Sequence, residues 1–156
     1  MPRNHLQAGF ETLTNMTLLN YPPQSPQNKG LGIHAHKDTD ALTTIAPDPV
    51  GGPEVRMPSG VWHQLACAEG GFFVNIGDMP ELWSGGRLVS TPHRVINRSG
   101  RERYSFPCFA VPRHDVTVAP LVPTLPGFSR PPVDLGHWSA ETWRTNWPGD
   151  RNRRTA

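Results

Sequence analysis

Apolar residues in this chain come in short bursts, each closed by turn formers. Segments 17–21, 32–38, 42–46, 53–57, 61–68, 72–77, 90–97 and 103–111 mix apolar and polar positions over a few residues. Such brief alternation reads as half-buried strand. The breakers between them include Gly51-Gly52, Pro58-Ser59-Gly60, Gly70-Gly71, Gly85-Gly86 and Arg98-Ser99-Gly100. Pro58-Ser59-Gly60 and Arg98-Ser99-Gly100 are short enough for hairpins. Short strands joined by Gly/Pro turns predict an all-β fold, a sandwich or jelly roll.

The pattern changes at Pro112. Prolines recur and the alternation fades, which predicts an irregular Pro/Trp-rich segment over 112–156. One short helix is expected at 139–146, with Ser139 as N-cap and Glu141 in its first turn. Trp138, Trp143 and Trp147 read as a clasp folded onto the barrel, with a partner surface as the competing reading. Residues 1–16 form a short polar extension, and 17–111 hold the core.

Composition sharpens this picture. The chain has 156 residues, with 18 Pro and 15 Gly, and 36% of its residues are hydrophobic. An interior proline costs a helix about 3 kcal/mol, so long helices are excluded. The length fits one domain. A net charge of +2 argues for neither nucleic acid nor a membrane surface as partner. Arg151, Arg153 and Arg154 read as a solvated basic end. Cys67 and Cys108 form no CxxC pair, and Cys108 reads as a packed thiol among apolar neighbours. No uninterrupted apolar run exceeds residues 65–68 or 108–111, too short for a membrane span or a signal-peptide core. A cytoplasmic location is the expectation.

The candidate chemistry lies in the histidines and acids. In Gly32-Ile33-His34-Ala35-His36-Lys37-Asp38, residues 34, 36 and 38 are expected on one face of a strand. His36 and Asp38 with the distant His93 make two imidazoles and one carboxylate. That set holds a divalent metal from one side and leaves positions open, as in non-haem Fe(II) oxygenases. Arg103-Tyr104-Ser105 follows soon after His93. If Arg98-Ser99-Gly100 is a hairpin turn, His93 falls opposite Ser105 and Arg103 becomes its diagonal neighbour. A five-carbon diacid chelating a metal at His93 would then reach Arg103 with its far carboxylate. Arg offers a bidentate fork and Ser a hydroxyl for that group.

With these residues in hand, the chain resembles the Fe(II)- and 2-oxoglutarate-dependent dioxygenases of the isopenicillin N synthase-like branch. The resemblance runs over about residues 17–111. It rests on Asn20-Tyr21-Pro22-Pro23, the run from Gly32 through His36 and Asp38 to Leu42-Thr43, Val74-Asn75-Ile76-Gly77-Asp78, the run from Gly86 to His93-Arg94-Val95, and Arg103-Tyr104-Ser105. It implies a double-stranded β-helix in which His36, Asp38 and His93 ligate Fe(II). It further implies that Arg103, Ser105 and Tyr21 bind the far carboxylate of 2-oxoglutarate. The implied reaction uses O2, releases succinate and CO2, and hydroxylates or desaturates a small-molecule substrate. Trp62, Trp83, Phe73 and Met79 are apolar candidates for shielding the site or for the core.

Two features depart from the family pattern. Only a short stretch precedes the first matching segment, where family members carry a long N-terminal region. His34 stands two residues before His36 and rivals it as a ligand, although His36 is in phase with Leu42-Thr43. Three other readings stay open: a same-branch oxidase that uses no 2-oxoglutarate, a cupin-like metal binder, and an inactive or scaffold-only core.

Overall fold

The computed structural model describes residues 14–25, 27, 30–66 and 69–146. Most of the expected 1–16 extension, Cys67, Trp147 and Arg151, Arg153 and Arg154 lie outside the described residues. In chain order the elements are β1 (Asn15–Met16), β2 (Leu19–Tyr21), β3 (Ile33–His36), β4 (Leu42–Ala46), β5 (Pro53–Arg56), β6 (Trp62–Gln64), β7 (Phe73–Ile76), helix α1 (Asp78–Trp83), β8 (His93–Val95), β9 (Arg103–Ala110), β10 (Thr117–Val118), β11 (Val133–Asp134) and helix α2 (Leu135–Asn146).

Two antiparallel sheets carry the fold. One runs β1-β9-β4-β7, with β2 also on β9, and the other runs β3-β8-β5-β6. Strand β9 shows why the alternation was readable. Arg103 and Ser105 point inward and are buried, while Tyr104 and Phe106 between them face out. The break between β1 and β2 lies alongside Phe106-Pro107 on β9. The Pro107 carbonyl accepts the Thr17 N–H at 3.0 Å, but its nitrogen has no hydrogen to give on that side, so the ladder is interrupted there. Cys108 shares the outward face and is only half-buried, short of the packed thiol expected.

The Pro58-Ser59-Gly60 turn forms the expected hairpin. It joins β5 and β6, with Arg56 opposite Trp62, and Gly60 takes a φ of +85°. The second expected hairpin does not form. Strand β8 pairs with β3 and β5, whereas β9 belongs to the other sheet. Residues 96–102 are a crossing between sheets, so His93 and Ser105 are not cross-strand neighbours. Buried Asn97 holds this crossing by donating to the carbonyls of Arg101 (2.8 Å), Pro22 (3.3 Å) and Tyr21 (3.4 Å). Those bonds compete with a plain turn.

The C-terminal segment is more than a cover. Val118 and Leu135 join Ala41, Met79 and Leu82 in the buried apolar cluster, with Trp83, Phe128, Val133 and Trp138 packed around it. Two elements there were not expected, β10 and β11, which pair with each other. Helix α2 begins four residues before the expected start. Its cap is Asp134, whose Oδ1 accepts the His137 N–H at 2.7 Å, and Ser139 lies inside the helix. Helix α1 was also unexpected, since Pro80 sits in its short span; a proline costs little in a first turn. Of the apolar candidates, Met79 is fully buried core and Trp83 packs against it, while Trp62 lies under the Arg94 guanidinium at 4.1 Å. No helix among the described residues is long and apolar enough to cross a membrane.

Candidate metal centre

His36 and His93 come together because β3 and β8 pair directly at these two residues. Their ring centroids are 4.3 Å apart. The register shifts between Ile33 and His36: three steps along β3 match two along β8, from Val95 to His93. This bulge breaks the period-two pattern. The His34 ring still lies near that of His36, with centroids 5.8 Å apart, but only His36 is opposite His93. His34 is exposed, and it lies outside the cluster that His36, Asp38 and His93 form. Nor is Asp38 on the strand: β3 ends at His36, and Asp38 is carried by the loop into β4.

Each ligand candidate is aimed. His36 Nδ1 lies 2.8 Å from the His34 carbonyl, and His93 Nδ1 lies 3.2 Å from the Thr91 carbonyl. Both rings therefore donate Nδ1–H to backbone and keep Nε2 as an acceptor, the tautomer a metal needs. Both Nε2 atoms face Asp38 Oδ1, at 3.6 and 3.7 Å. Asp38 Oδ2 is held by Asn75 Nδ2 at 2.8 Å and by the Thr43 hydroxyl. One carboxylate oxygen is thus committed to the protein and the other is left for an ion. The ligand atoms of the three residues lie within 4.8 Å of one another. Burial, reinforced by neighbouring His93, pushes the His36 imidazole below its usual range, which keeps it neutral and able to ligate.

Asp40 backs this arrangement. Its carboxyl is pushed up to about 7, first by burial and then by the charge of Asp38. Thr43 Oγ1 lies 2.8 Å from Asp40 Oδ2 and also touches Asp38. A hydroxyl has one proton, so Thr43 shares it between the carboxylates of Asp38 and Asp40 and couples the two acids. Asn75, Thr43 and Asp40 were not singled out as site residues in the sequence. The available signal was a polar side chain at an inward position of an otherwise apolar strand, at Thr43 on β4 and Asn75 on β7.

Arg103 is 2% exposed and pairs across the ladder with Tyr21; Ser105 pairs with Leu19 on the same strand pair. The guanidinium stacks on the Tyr21 ring at 4.6 Å, and its Nε donates to the Gly51 carbonyl at 2.6 Å. Gly51 and Gly52 take φ of +76° and +105°, and a Cβ on Gly52 would lie 2.7 Å from the Ile96 carbonyl oxygen, so only glycine suits this turn. Burial raises the Tyr21 hydroxyl above its ordinary range, partly offset by Arg103. Arg103 Nη1 is buried with no hydrogen-bond partner among the described residues. A buried unpaired N–H on a cation is costly, and a carboxylate of a bound acid would satisfy it. The donor set of His36, Asp38 and His93 fits Fe(II), and this orphaned nitrogen beside Tyr21 fits the far carboxylate of 2-oxoglutarate.

A cavity of about 600 Å3 opens onto His36, Asp38 and Tyr21, and its other walls include Phe109, Val111 and Trp143. Of the expected site residues, the structure gathers His36, Asp38 and His93 in one cluster. Tyr21, Arg103 and Ser105 are neighbours on the β2–β9 pair. His63, His114 and His137 are exposed and take no part.

Known proteins with similar chains point the same way. Sexual differentiation process protein isp7 of Schizosaccharomyces pombe is 38% identical over 119 residues, 76% of this chain and 29% of its own. The 2-oxoglutarate-Fe(II) type oxidoreductase hxnY of Emericella nidulans is 40% identical over 112 residues, 66% of this chain and 32% of its own. The chain thus spans about a third or less of these relatives. A full-length Neurospora crassa protein, crystallised in complex with alpha-KG and 5-formyluracil, superposes with a TM-score of 0.81 at 21% identity, covering 91% of this chain and 50% of that one, which shows the jelly-roll fold. Residues 13–112 match the model of the 2OG-Fe(II) oxygenase superfamily, a stretch holding every candidate ligand and the buried arginine, and to that superfamily the chain belongs.

Proposed function

We propose that this chain is the catalytic core of an Fe(II)- and 2-oxoglutarate-dependent dioxygenase of the isopenicillin N synthase-like branch, acting on a small organic substrate. His36 Nε2, His93 Nε2 and Asp38 Oδ1 would hold the iron. Arg103, Ser105 and Tyr21 would take the far carboxylate of 2-oxoglutarate. When bound, iron and 2-oxoglutarate supply the oxidising chemistry, with O2 consumed, 2-oxoglutarate converted to succinate and CO2, and the substrate hydroxylated or desaturated.

The protein's part is placement. Three ligands on one side leave the remaining positions of a six-coordinate ion for other groups. Backbone carbonyls fix both imidazoles, and Asn75 and Thr43 fix the carboxylate. The stacked Tyr21 ring keeps water from one face of the Arg103 guanidinium, which strengthens its pairing with an anion. Phe109, Val111 and Trp143 line the cavity on the substrate side, where excluding water protects the reaction from side paths. A reducing cytoplasm suits a ferrous ion.

The observation that carries this reading is the convergence of both Nε2 atoms on one free carboxylate oxygen. Its test is anaerobic addition of Fe(II) and 2-oxoglutarate, followed by visible absorption. A weak charge-transfer band is expected, lost in His93→Ala and in Arg103→Ala. No band with the unaltered chain, or an unchanged band in both variants, would overturn the assignment. Release of succinate in step with substrate oxidation separates this reading from an oxidase that uses no 2-oxoglutarate.

A further inference from the structure

We infer that one face of α2 forms the substrate wall of the metal pocket and selects a flat aromatic molecule. The inference rests on the reading of the metal centre above and goes further by naming a substrate class. Ser139, Thr142 and Trp143 all line the cavity that opens onto His36 and Asp38. They stand at i, i+3 and i+4, a single face of the helix.

The rest of α2 anchors that face. Leu135 is fully buried in the apolar cluster with Met79 and Leu82, and Trp138 packs against it. Arg130 stacks over Trp138 at 4.7 Å and reaches the Glu81 carboxylate on α1 at 3.1 Å. The helix is therefore held from behind by core packing and a charged contact, and its position relative to the metal loop is fixed through α1. A wall set on a rigid element can discriminate between shapes.

Chemistry of the lining names the class. Trp143 is 53% exposed, and Phe109 and Tyr21 add aromatic surface to the same cavity. An indole presents a large rigid face that favours offset stacking on another ring. Lys37 is the one Lys or Arg among the described lining residues, and it is paired with Glu81 at 3.3 Å and Asp78 at 3.9 Å. Among the described lining residues an incoming molecule therefore meets no uncommitted Lys or Arg for a second acid group. The hydroxyls of Ser139 and Thr142 can meet a phenol or carbonyl substituent. The occupant is a neutral, flat aromatic ring system carrying such a substituent.

The test uses 2-naphthol and decahydro-2-naphthol, which share a skeleton and a hydroxyl but differ in planarity. Binding to the metal-free chain is measured by ligand-observed NMR titration. The unaltered chain should bind 2-naphthol roughly three- to tenfold more tightly than the saturated alcohol. Trp143→Phe should keep most of that preference and Trp143→Ala should erase it. Equal affinity for the two alcohols, or a preference that survives Trp143→Ala, would overturn the inference. Mn(II) affinity, followed by electron paramagnetic resonance, is measured separately. Failure of Mn(II) to bind would sink the metal reading, while the naphthol comparison decides the wall without any metal present.

Discussion

Gly77→Ala probes how the fold holds Asp38. Gly77 precedes α1 with φ −83° and ψ −175°, a conformation any residue adopts, so an alanine there carries no backbone penalty. The obstacle is steric. A Cβ on Gly77 would lie 2.1 Å from the Asp40 carbonyl oxygen, 2.3 Å from Asp40 Oδ1 and 2.7 Å from the Asp40 carbonyl carbon. Real Cβ atoms essentially never approach closer than 3.0 Å, so the two segments must part by about 1 Å. Two of the three obstructing atoms are backbone and cannot rotate away. The same segments are tied by three hydrogen bonds, from Gly77 N–H to the Ala41 carbonyl at 3.1 Å, Asp78 N–H to Asp38 at 2.9 Å and Met79 N–H to Asp40 at 3.2 Å. Overpacking costs about 1–3 kcal/mol, and strain against backbone belongs at the upper end. At roughly 2–4 °C per kcal/mol for a chain of this size, the melting temperature should fall by about 6–12 °C. Asp38 rides on the displaced loop, while metal ligands tolerate only about 0.2 Å of misplacement. Co(II) affinity should therefore fall by about 10–100-fold, the usual cost of disturbing a ligand's support. Circular dichroism melts and a Co(II) absorption titration read the two effects. A melting temperature within about 2 °C of the unaltered chain, with Co(II) affinity unchanged, would refute the clamp.

Two further outcomes follow from buried groups. The Asp40 carboxyl sits at about 7 in the folded chain against a reference of 3.8, so between those values the unfolded chain has already lost a proton that the folded one keeps. Metal-free stability should fall by about 1.4 kcal/mol per pH unit as pH rises through that window, then level off. Asp40→Asn should remove this slope, and urea unfolding from pH 4 to 8 that gives parallel curves for the two chains would contradict it. Leu135→Ala should cost about 2–5 kcal/mol, because the side chain is fully buried among Met79, Leu82 and Val118. A loss below about 1 kcal/mol in the same unfolding assay would show that the C-terminal segment is not part of the core.

The readable parts of this molecule are those where one residue's chemistry has few alternatives. Arg103 and Ser105 alternate with outward Tyr104 and Phe106, so β9 follows from the pattern, whereas by itself an arginine there reads as a surface residue and only its place beside a metal set suggested an inward role. His36, Asp38 and His93 stood out because a metal needs those side chains, whatever the strands do. The β3 bulge was not legible, since an extra residue in a ladder leaves no mark in the chain, and with it in place His36, and not His34, is opposite His93. Partnership between strands was also hidden. A short turn before Arg103 looks like a hairpin, and only the buried amide of Asn97 reveals a crossing. In the proline-rich segment the cap Asp134 precedes Leu135, but Ser139 offers an equally good N-cap side chain, and the expected helix start followed it.

The two halves of the site come from different sheets. His36 and His93 belong to the four-stranded sheet, whereas the carboxylate of Asp38 is gripped by Thr43 on β4 and Asn75 on β7 of the five-stranded one. An ion held by all three side chains would act as a rivet through the sandwich. Its binding energy would then be shared with the docking of one sheet on the other. A metal present at a hundred times its dissociation constant adds about 2.7 kcal/mol to folding. Here that increment would fall on the seam between the sheets, so loss of the ion would loosen the scaffold that aims the remaining residues.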